Sequence, residues 1–545
     1  MTAVLPQRRR VQRRVLGACC VGAALLLAAC GASHTPGASV PRARTFIDAV
    51  PALPGDLDSS GTPTPAALTV IPSWSSELVR PRGAAPGEDA TLPPADDVVP
   101  YLATSWRLSR GGDITFLLRH AVRGATGDPF TASDVAWSIR RDLAVSPVAP
   151  YLFSLANLDT ADPVTLLGPY SVRINVTAPS PFLLAVLASD NAAIYDRRLY
   201  LEHAKAGDPW AEQWGSTNSA SFGAYYVAQF TAAKRIILLA NPYAWDHPYY
   251  KRVEIKQMPD PYHRLRGLLS GAVDHSSDID WKDYTDSLLY GSHSHVTTTI
   301  LQAGPATETL FLNLHAGPLR TRAVREAIGL AVDRADLAGR LYAGYAKPDV
   351  LALPAIYGQS QPAGYDLARA RRLLAAAGYG HGLTLPVYLS ADLGDGSEEL
   401  HVLALQLALA GITLQPTIVY NDDQLLELEH AQRLPATIED IDPVLGGAAF
   451  LLIQDYDAAL DRASPAFVDG YSDPALTRLL AQLRHTAAGP AADRLTARAA
   501  ALVERDAPAV NLFELPVQNV TRSGIAGYAA YAVPVTYYEY LHPAR

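Results

Sequence analysis

The sequence predicts an α/β protein. From Leu68 onward, short β-branched and apolar runs alternate with stretches whose apolar residues recur at helical spacing. Several of the helical stretches open on Asp or Thr and close on Gly, which are helix-capping residues. All three cysteines, Cys19, Cys20 and Cys30, fall at the N-terminal end, so no disulfide or thiolate metal site is available to the rest of the chain. A body of that length can bury cores large enough to stand without them.

The N-terminal segment has the pattern of a secretion signal. Arg8, Arg9, Arg10, Arg13 and Arg14 form a basic head, and Val15 to Ala29 is uncharged and small or apolar. That run is shorter than the roughly 20 residues a membrane-spanning helix needs and suits a signal core. It closes on Leu27-Ala28-Ala29-Cys30, which resembles a bacterial lipobox, so residues 1–29 are expected to be removed and Cys30 to carry lipid. Arg13-Arg14 lies in a poor context for a twin-arginine signal. Residues 30–67 then read as the lipidated Cys and a flexible tether, with prolines at 36, 41, 51, 54, 63 and 65. A coil of that length reaches roughly 30–36 Å. Phe46-Ile47 is its one apolar spot and a candidate to dock on the body.

Beyond the tether the elements follow in order. Leu68–Ile71 reads as a strand and Ile114–Leu118 as another, with a turn at Gly124–Asp128. Thr131-Ala-Ser-Asp134 is a capping-box-like start for a helix carrying Val135, Ile139 and Leu143 on one side. Val324, Ala327, Ile328 and Ala331 lie at i, i+3, i+4, i+7 of a helix beginning near Leu319, and Asp333 caps the next. Asp366 caps a helix packing Leu367, Ala370, Leu373, Leu374 and Ala377, which Gly378 ends. A further helix follows Ser397 and ends at Gly411, and Asp473-Pro474 opens another with Pro in its permitted first turn.

Charge and motif content exclude several functions. The formal charge is −9, and loss of a signal with five arginines and no acid leaves −14, which disfavours nucleic acid as a partner. No G-x-S-x-G elbow, H-E-x-x-H helix or phosphate-binding loop is present, so no enzymatic activity is expected. His293-Ser-His295 has the spacing of a two-imidazole pair but no further ligands nearby, so neither a metal site nor a cofactor is expected.

A series of segments carries a family resemblance. Leu102-Ala-Thr-Ser-Trp106, Thr115-Phe-Leu-Leu-Arg119 and Asp128-Pro-Phe-Thr-Ala-Ser-Asp-Val135 open it. Gly223-Ala-Tyr-Tyr226, Asn241-Pro-Tyr-Ala-Trp245, Leu269-Ser-Gly-Ala-Val-Asp274, Arg325 to Arg334, Tyr365 to Tyr379 and Gly470-Tyr-Ser-Asp-Pro474 continue it in order. Together, over roughly residues 68–530, they resemble the family 5 extracellular solute-binding proteins, the peptide- and nickel-binding receptors of ABC importers. The resemblance implies a two-lobed periplasmic-binding-protein-like fold (type II, cluster C) with mixed sheets. It places lobe I at 68–305 with an extra subdomain at about 76–192, lobe II at 306–512, and a return to lobe I over 513–545. The turn before Pro129 is permuted to Gly127-Asp128, and the Pro-rich segment before Leu102 is shorter than usual.

The same resemblance implies the function: a monomeric, lipid-anchored extracytoplasmic receptor that closes on an oligopeptide or dipeptide and delivers it to an ABC permease. The alternatives are a non-peptide cargo (nickel chelate, haem, oligosaccharide) or a sensor lipoprotein without transport. Peptide-binding members meet the ligand ammonium with an acid in a W-x-x-D-Y-x-D-P-like stretch, because a charge in a closed cleft needs a counter-charge. The corresponding text is Thr437-Ile-Glu-Asp-Ile-Asp-Pro443, which nominates Asp440, Glu439 and Asp442, although the usual aromatics are Thr437 and Ile441. Trp74, after a strand expected to end at the cleft, is a candidate for stacking on ligand.

Overall fold

The computed structural model describes residues 42–61, 65–83, 97–277, 279, 296–301, 306–348, 353, 364–390, 396–419, 428, 431, 434–441, 445, 447–457, 471–529, 531 and 535–544. They form the α/β architecture expected, built on two large mixed sheets and a smaller antiparallel one.

The first sheet has seven strands in the order Val296–Leu301, Val517–Arg522, His275–Ser277, Thr45–Val50, Arg252–Gln257, Arg235–Ala240, Tyr225–Thr231. Alternation along the Thr45–Val50 strand serves both faces. Phe46 and Val50 join Val70, Ile71, Trp74, Tyr225, Leu238 and Tyr538 on one side. Ala49 packs with Leu265, Leu268 and Val520 on the other, under the Pro261–Ser270 helix.

This strand corrects the reading of 30–67 as tether. Thr45–Val50 is central in the first sheet, pairing in parallel with Arg252–Gln257 and touching His275 in register at Asp48. The Phe46-Ile47 dipeptide is what holds it: Phe46 has no solvent exposure. Asp274 fixes the entering chain by accepting a bidentate pair of bonds from Arg42 at 2.8 and 2.9 Å and another from the Ile47 amide at 2.9 Å. A second correction concerns Leu68–Ile71, which is not a strand. Pro65–Val70 is helical and Ile71–Ser73 forms a 3-10 turn, with Pro65 in the first-turn position where its missing N–H costs nothing.

The second sheet runs Ile412–Val419, Leu383–Ser390, Ala436–Ile441, Thr307–Leu312, Ala509–Glu514. Leu310 and Leu312 face the helices Arg322–Ala331, Arg334–Leu341, Leu367–Ala376 and Gly396–Leu409, while Phe311 faces the layer formed by Ala448–Tyr456, Pro474–Arg484 and Pro490–Asp506. The chain leaves the first sheet after Leu301, enters the second at Thr307, leaves it after Glu514 and re-enters the first at Val517.

The expected caps are in place. Asp134 accepts from the Thr131 amide at 2.8 Å, Asp333 from Asp336 at 3.1 Å, Asp366 from Arg369 at 2.8 Å and Asp473 from Ala475 at 2.5 Å. Gly378 takes the left-handed conformation at φ +90°, which lets the chain turn out of its helix.

A four-stranded antiparallel sheet (Ala103–Leu108, Ile114–Leu118, Ser171–Ile174, Val164–Gly168) and the Ala132–Val145 helix make a subdomain beside the first sheet. Its base is tied down by the Ser76 hydroxyl, which donates to Ile194 O at 3.1 Å and accepts from the Phe222 amide at 3.1 Å. A second tie is Arg141, fully buried in that helix, whose guanidinium pairs with Asp58.

Candidate ligand-binding site at the crossover end of the second sheet

The strands Leu383–Ser390, Ile412–Val419 and Ala436–Ile441 run parallel, so their carboxyl ends lie together. Thr307–Leu312 is antiparallel to Ala436–Ile441 and brings its first residues, just past the crossover, to the same end. In open α/β sheets this end is where ligands bind. Four acidic positions fall there, and alternation puts Glu439 and Glu514 on one face of the sheet and Glu308 on the other. Glu308 lies opposite Asp440 and Thr309 opposite Glu439, while Glu514 pairs with Thr307 from the far strand. Glu308 is buried and Glu514 fully so. Thr307, Thr309 and Asn511 add a short polar row, with Thr309 donating to Asn511 Oδ1 at 3.2 Å.

The helix that follows this strand contributes a fifth acid. Asp455 is 7% exposed near the end of Ala448–Tyr456. Its pKa is pushed up to about 8: burial is the main cause, a bond from the Gln454 amide at 3.4 Å opposes it, and the charge of Glu439 adds to it. A carboxyl so placed stays protonated at neutral pH until a cation arrives to hold the ionised form. The sequence reasoning passed over Asp455, although Gln454-Asp455 interrupts the apolar run Phe450-Leu-Leu-Ile453 and a polar pair there is the signal to follow.

On the subdomain side, the guanidinium of Arg80, six residues after the candidate Trp74, is already committed. Arg80 is buried, donates from Nε to Glu77 at 3.1 Å, pairs with Glu539 and lies between the rings of Tyr101 and Tyr537 at 3.5 and 4.2 Å. Burial raises the Glu77 carboxyl, against the pull of Arg80 and of the Ser75 hydroxyl. Asp190 is pushed up to about 7 by burial and then by the neighbouring charge of Glu77.

The nominated residues divide. Glu439 is half-buried at the acid-lined end. Asp440 occupies the next position of the same strand, with its side chain outside the described residues. Asp442, Cys30, His293 and His295 also lie outside the described residues. Trp74 is 3% exposed and belongs to the apolar core with Phe46 and Tyr538, and its carbonyl accepts from Ser221 at 2.5 Å. Thr437, in the place of the expected aromatic, is buried opposite Phe311. The Asn241–Trp245 segment is a turn: Asn241 Nδ2 donates to Arg123 O and Gly223 O at 2.9 and 3.1 Å. A cavity of about 400 Å³ beside it, lined by Tyr226, Asn241, His247 and Lys251, shares no residue with the acidic end. Among the described residues no helix is long and apolar enough to cross a membrane.

Comparison with known proteins agrees with this architecture. The family described as bacterial extracellular solute-binding proteins, family 5 Middle, matches residues 97–458. The periplasmic murein peptide-binding protein MppA of Escherichia coli K12 is 23% identical over 334 residues, covering 56% of this chain and 60% of MppA. The glutathione-binding protein GsiB of Escherichia coli O6:K15:H31 is 25% identical over 345 residues, covering 60% and 62%. The chain thus spans about 60% of the length of the curated relatives it matches. Among solved structures, the periplasmic binding protein DppA of Helicobacter pylori, in complex with the peptide STSA, superposes with a TM-score of 0.76 at 19% identity over 92% of this chain and 98% of that one.

Proposed function

Because the chain belongs to the bacterial extracellular solute-binding proteins of family 5, we propose that it is the receptor of an ABC importer and that its ligand is a short peptide with a free amino terminus. MppA, GsiB and DppA are named for, or solved with, peptides, which supports this class of cargo. The observation that carries the reading is the acid-lined end of the second sheet, where Glu439 stands beside buried Asp455. An ammonium there would replace lost hydration with carboxylate oxygens, and a neutral group would not. Glu439 is the partner we assign to it, with Asp440 and Asp442 the further candidates beside it in sequence.

In this reading the two sheets are the cores of two lobes that close on the peptide about the 301–307 and 514–517 crossings. Cys30 carries lipid and holds a monomeric receptor outside the cytoplasmic membrane, within reach of its permease. Binding and release are the whole task, with no chemical step, which fits a family of solute-binding proteins rather than enzymes.

The test is calorimetry and thermal shift with a panel of di- to pentapeptides, each free and N-acetylated. Free peptides should raise the melting temperature, since saturation at 100-fold over Kd stabilises by about 2.7 kcal/mol, and acetylation should weaken binding at least about tenfold, the loss of one buried charged contact. Equal binding of acetylated peptides would refute the ammonium assignment. Failure of every peptide, with retention of a metal chelate, haem or oligosaccharide seen by native mass spectrometry, would refute the peptide cargo.

A further inference from the structure

The two lobes touch at a second place, remote in sequence from the crossings. Asn157 ends the Ala149–Leu155 helical segment of the subdomain and is 6% exposed. Its side-chain amide Nδ2 donates to Pro179 O at 2.9 Å, inside the subdomain, and to Arg484 O at 2.9 Å, in the other lobe. Arg484 is the last residue of the Pro474–Arg484 helix. The final carbonyls of a helix have no partner within it, so this helix end is satisfied in part by a donor from the opposite lobe.

The backbone of Asn157 is arranged for the task. It adopts φ +54°, a left-handed conformation that Asn tolerates better than other residues with a side chain. Thr177 fixes it there by donating its amide and hydroxyl to Asn157 O at 2.8 and 3.3 Å. Beside the bond, Phe182 of the subdomain meets Phe450 of the second lobe edge-on, with ring centroids 6.3 Å apart at 72°. One buried apolar cluster runs without a break from Val172, Ile174 and Leu183 to Leu452, Leu480 and Val503.

We propose that Asn157 is a closure latch: its amide bond to Arg484 O, backed by the Phe182–Phe450 contact, holds the lobes together and sets the share of unliganded receptor that is closed. The inference rests on the two-lobe closing motion given under Proposed function. Asn157 is nearly fully buried and its partners are not those of the acidic end, so the latch should tune affinity for every cargo by the same factor, because only the closed fraction is competent to retain it.

The experiment is single-molecule energy transfer without ligand. The full chain with Cys19, Cys20 and Cys30 replaced by Ser carries dyes at Ser109→Cys and Gln482→Cys, both exposed, one on the subdomain and one on the second lobe. Asn157→Gly keeps the left-handed backbone and removes the donor. Asn157→Asp keeps the size but sets a carboxylate against two carbonyls. The first should raise the open-to-closed ratio about three- to tenfold, as for loss of one hydrogen bond, and the second should raise it further, with both variants folded by circular dichroism. Two exchanging distances unmoved by either variant would overturn the latch alone. A single distance in all proteins, with or without peptide, would overturn the closing motion and the latch with it.

Discussion

Buried Asp455 lies within reach of the charge of half-buried Glu439, and their coupling has a measurable sign. Asp455 is raised to about 8 in the folded protein. A bound ammonium favours the ionised form, so below that pH the proton must leave as ligand enters. Affinity for a free-amino peptide should therefore rise with pH to a maximum near 8, above which the peptide loses its own α-ammonium, whose pKa is about 7.7–8.0. Titration calorimetry at pH 6 and pH 8 should give at least about a tenfold difference, because a group of that pKa is only about 1% ionised at pH 6. Asp455→Asn should flatten the dependence and leave the protein folded. A wild-type affinity independent of pH would remove Asp455 from the site. At this scale the sequence exposed the strand acids through Asp-Ile-Asp-Pro443, but not Asp455, whose role comes from a helix folding back on the strand's end. Trp74 misled for a related reason: an aromatic near an expected cleft and an aromatic inside a core look alike until the neighbouring strand, Thr45–Val50, is known to cover it.

Elements were legible where local chemistry decided them. Asp134, Asp333, Asp366 and Asp473 each meet the amide that their position announced, because a cap is an interaction over three residues. The Thr45–Val50 strand was not, because its partners are contributed some 200 residues later by Arg252–Gln257 and by Asp274. Pro51, Pro54 and the small residues around it gave it the composition of a linker. Pro65–Val70 was missed because a short apolar run with Thr69 and Val70 suits a strand as well as a helix, and Pro65 was the tie-breaker. Asp274 is the residue on which the first strand depends: it meets Arg42 and the Ile47 amide, and its Oδ1 also lies 3.1 Å from Arg522. Asp274→Ala leaves a part-buried amide and two half-exposed guanidinium groups without this acceptor. It should cost about 1–3 kcal/mol, mostly from the amide bond, since solvent screens the two half-exposed ion pairs, read as a lower urea midpoint with an unchanged slope. A shift under about 0.5 kcal/mol, the range of an ordinary surface substitution, would show that the strand is held by Phe46 burial alone.

For the molecule as a whole, acids buried without enough counter-charge set the pH dependence of stability. Asp190 and Asp455 have folded-state values of about 7 and 8, above those of an unfolded chain. The folded state therefore holds protons that the unfolded state has released. Their contribution is present in full below the unfolded values near 4 and is lost as pH rises through 7 and 8. The unliganded protein should melt at a higher temperature at pH 5 than at pH 8, and saturating peptide should narrow the gap by supplying the missing positive charge. An unliganded melting temperature that rises from pH 5 to pH 8 would contradict the burial of these two groups. Burial of Phe46 has one more effect, on distance. With Arg42 pinned to Asp274, only residues 31–41 separate Cys30 from the folded body. If that Cys is lipidated, its lipid is joined to the first sheet through the eleven residues 31–41 of the sequence and not through a segment running to residue 66.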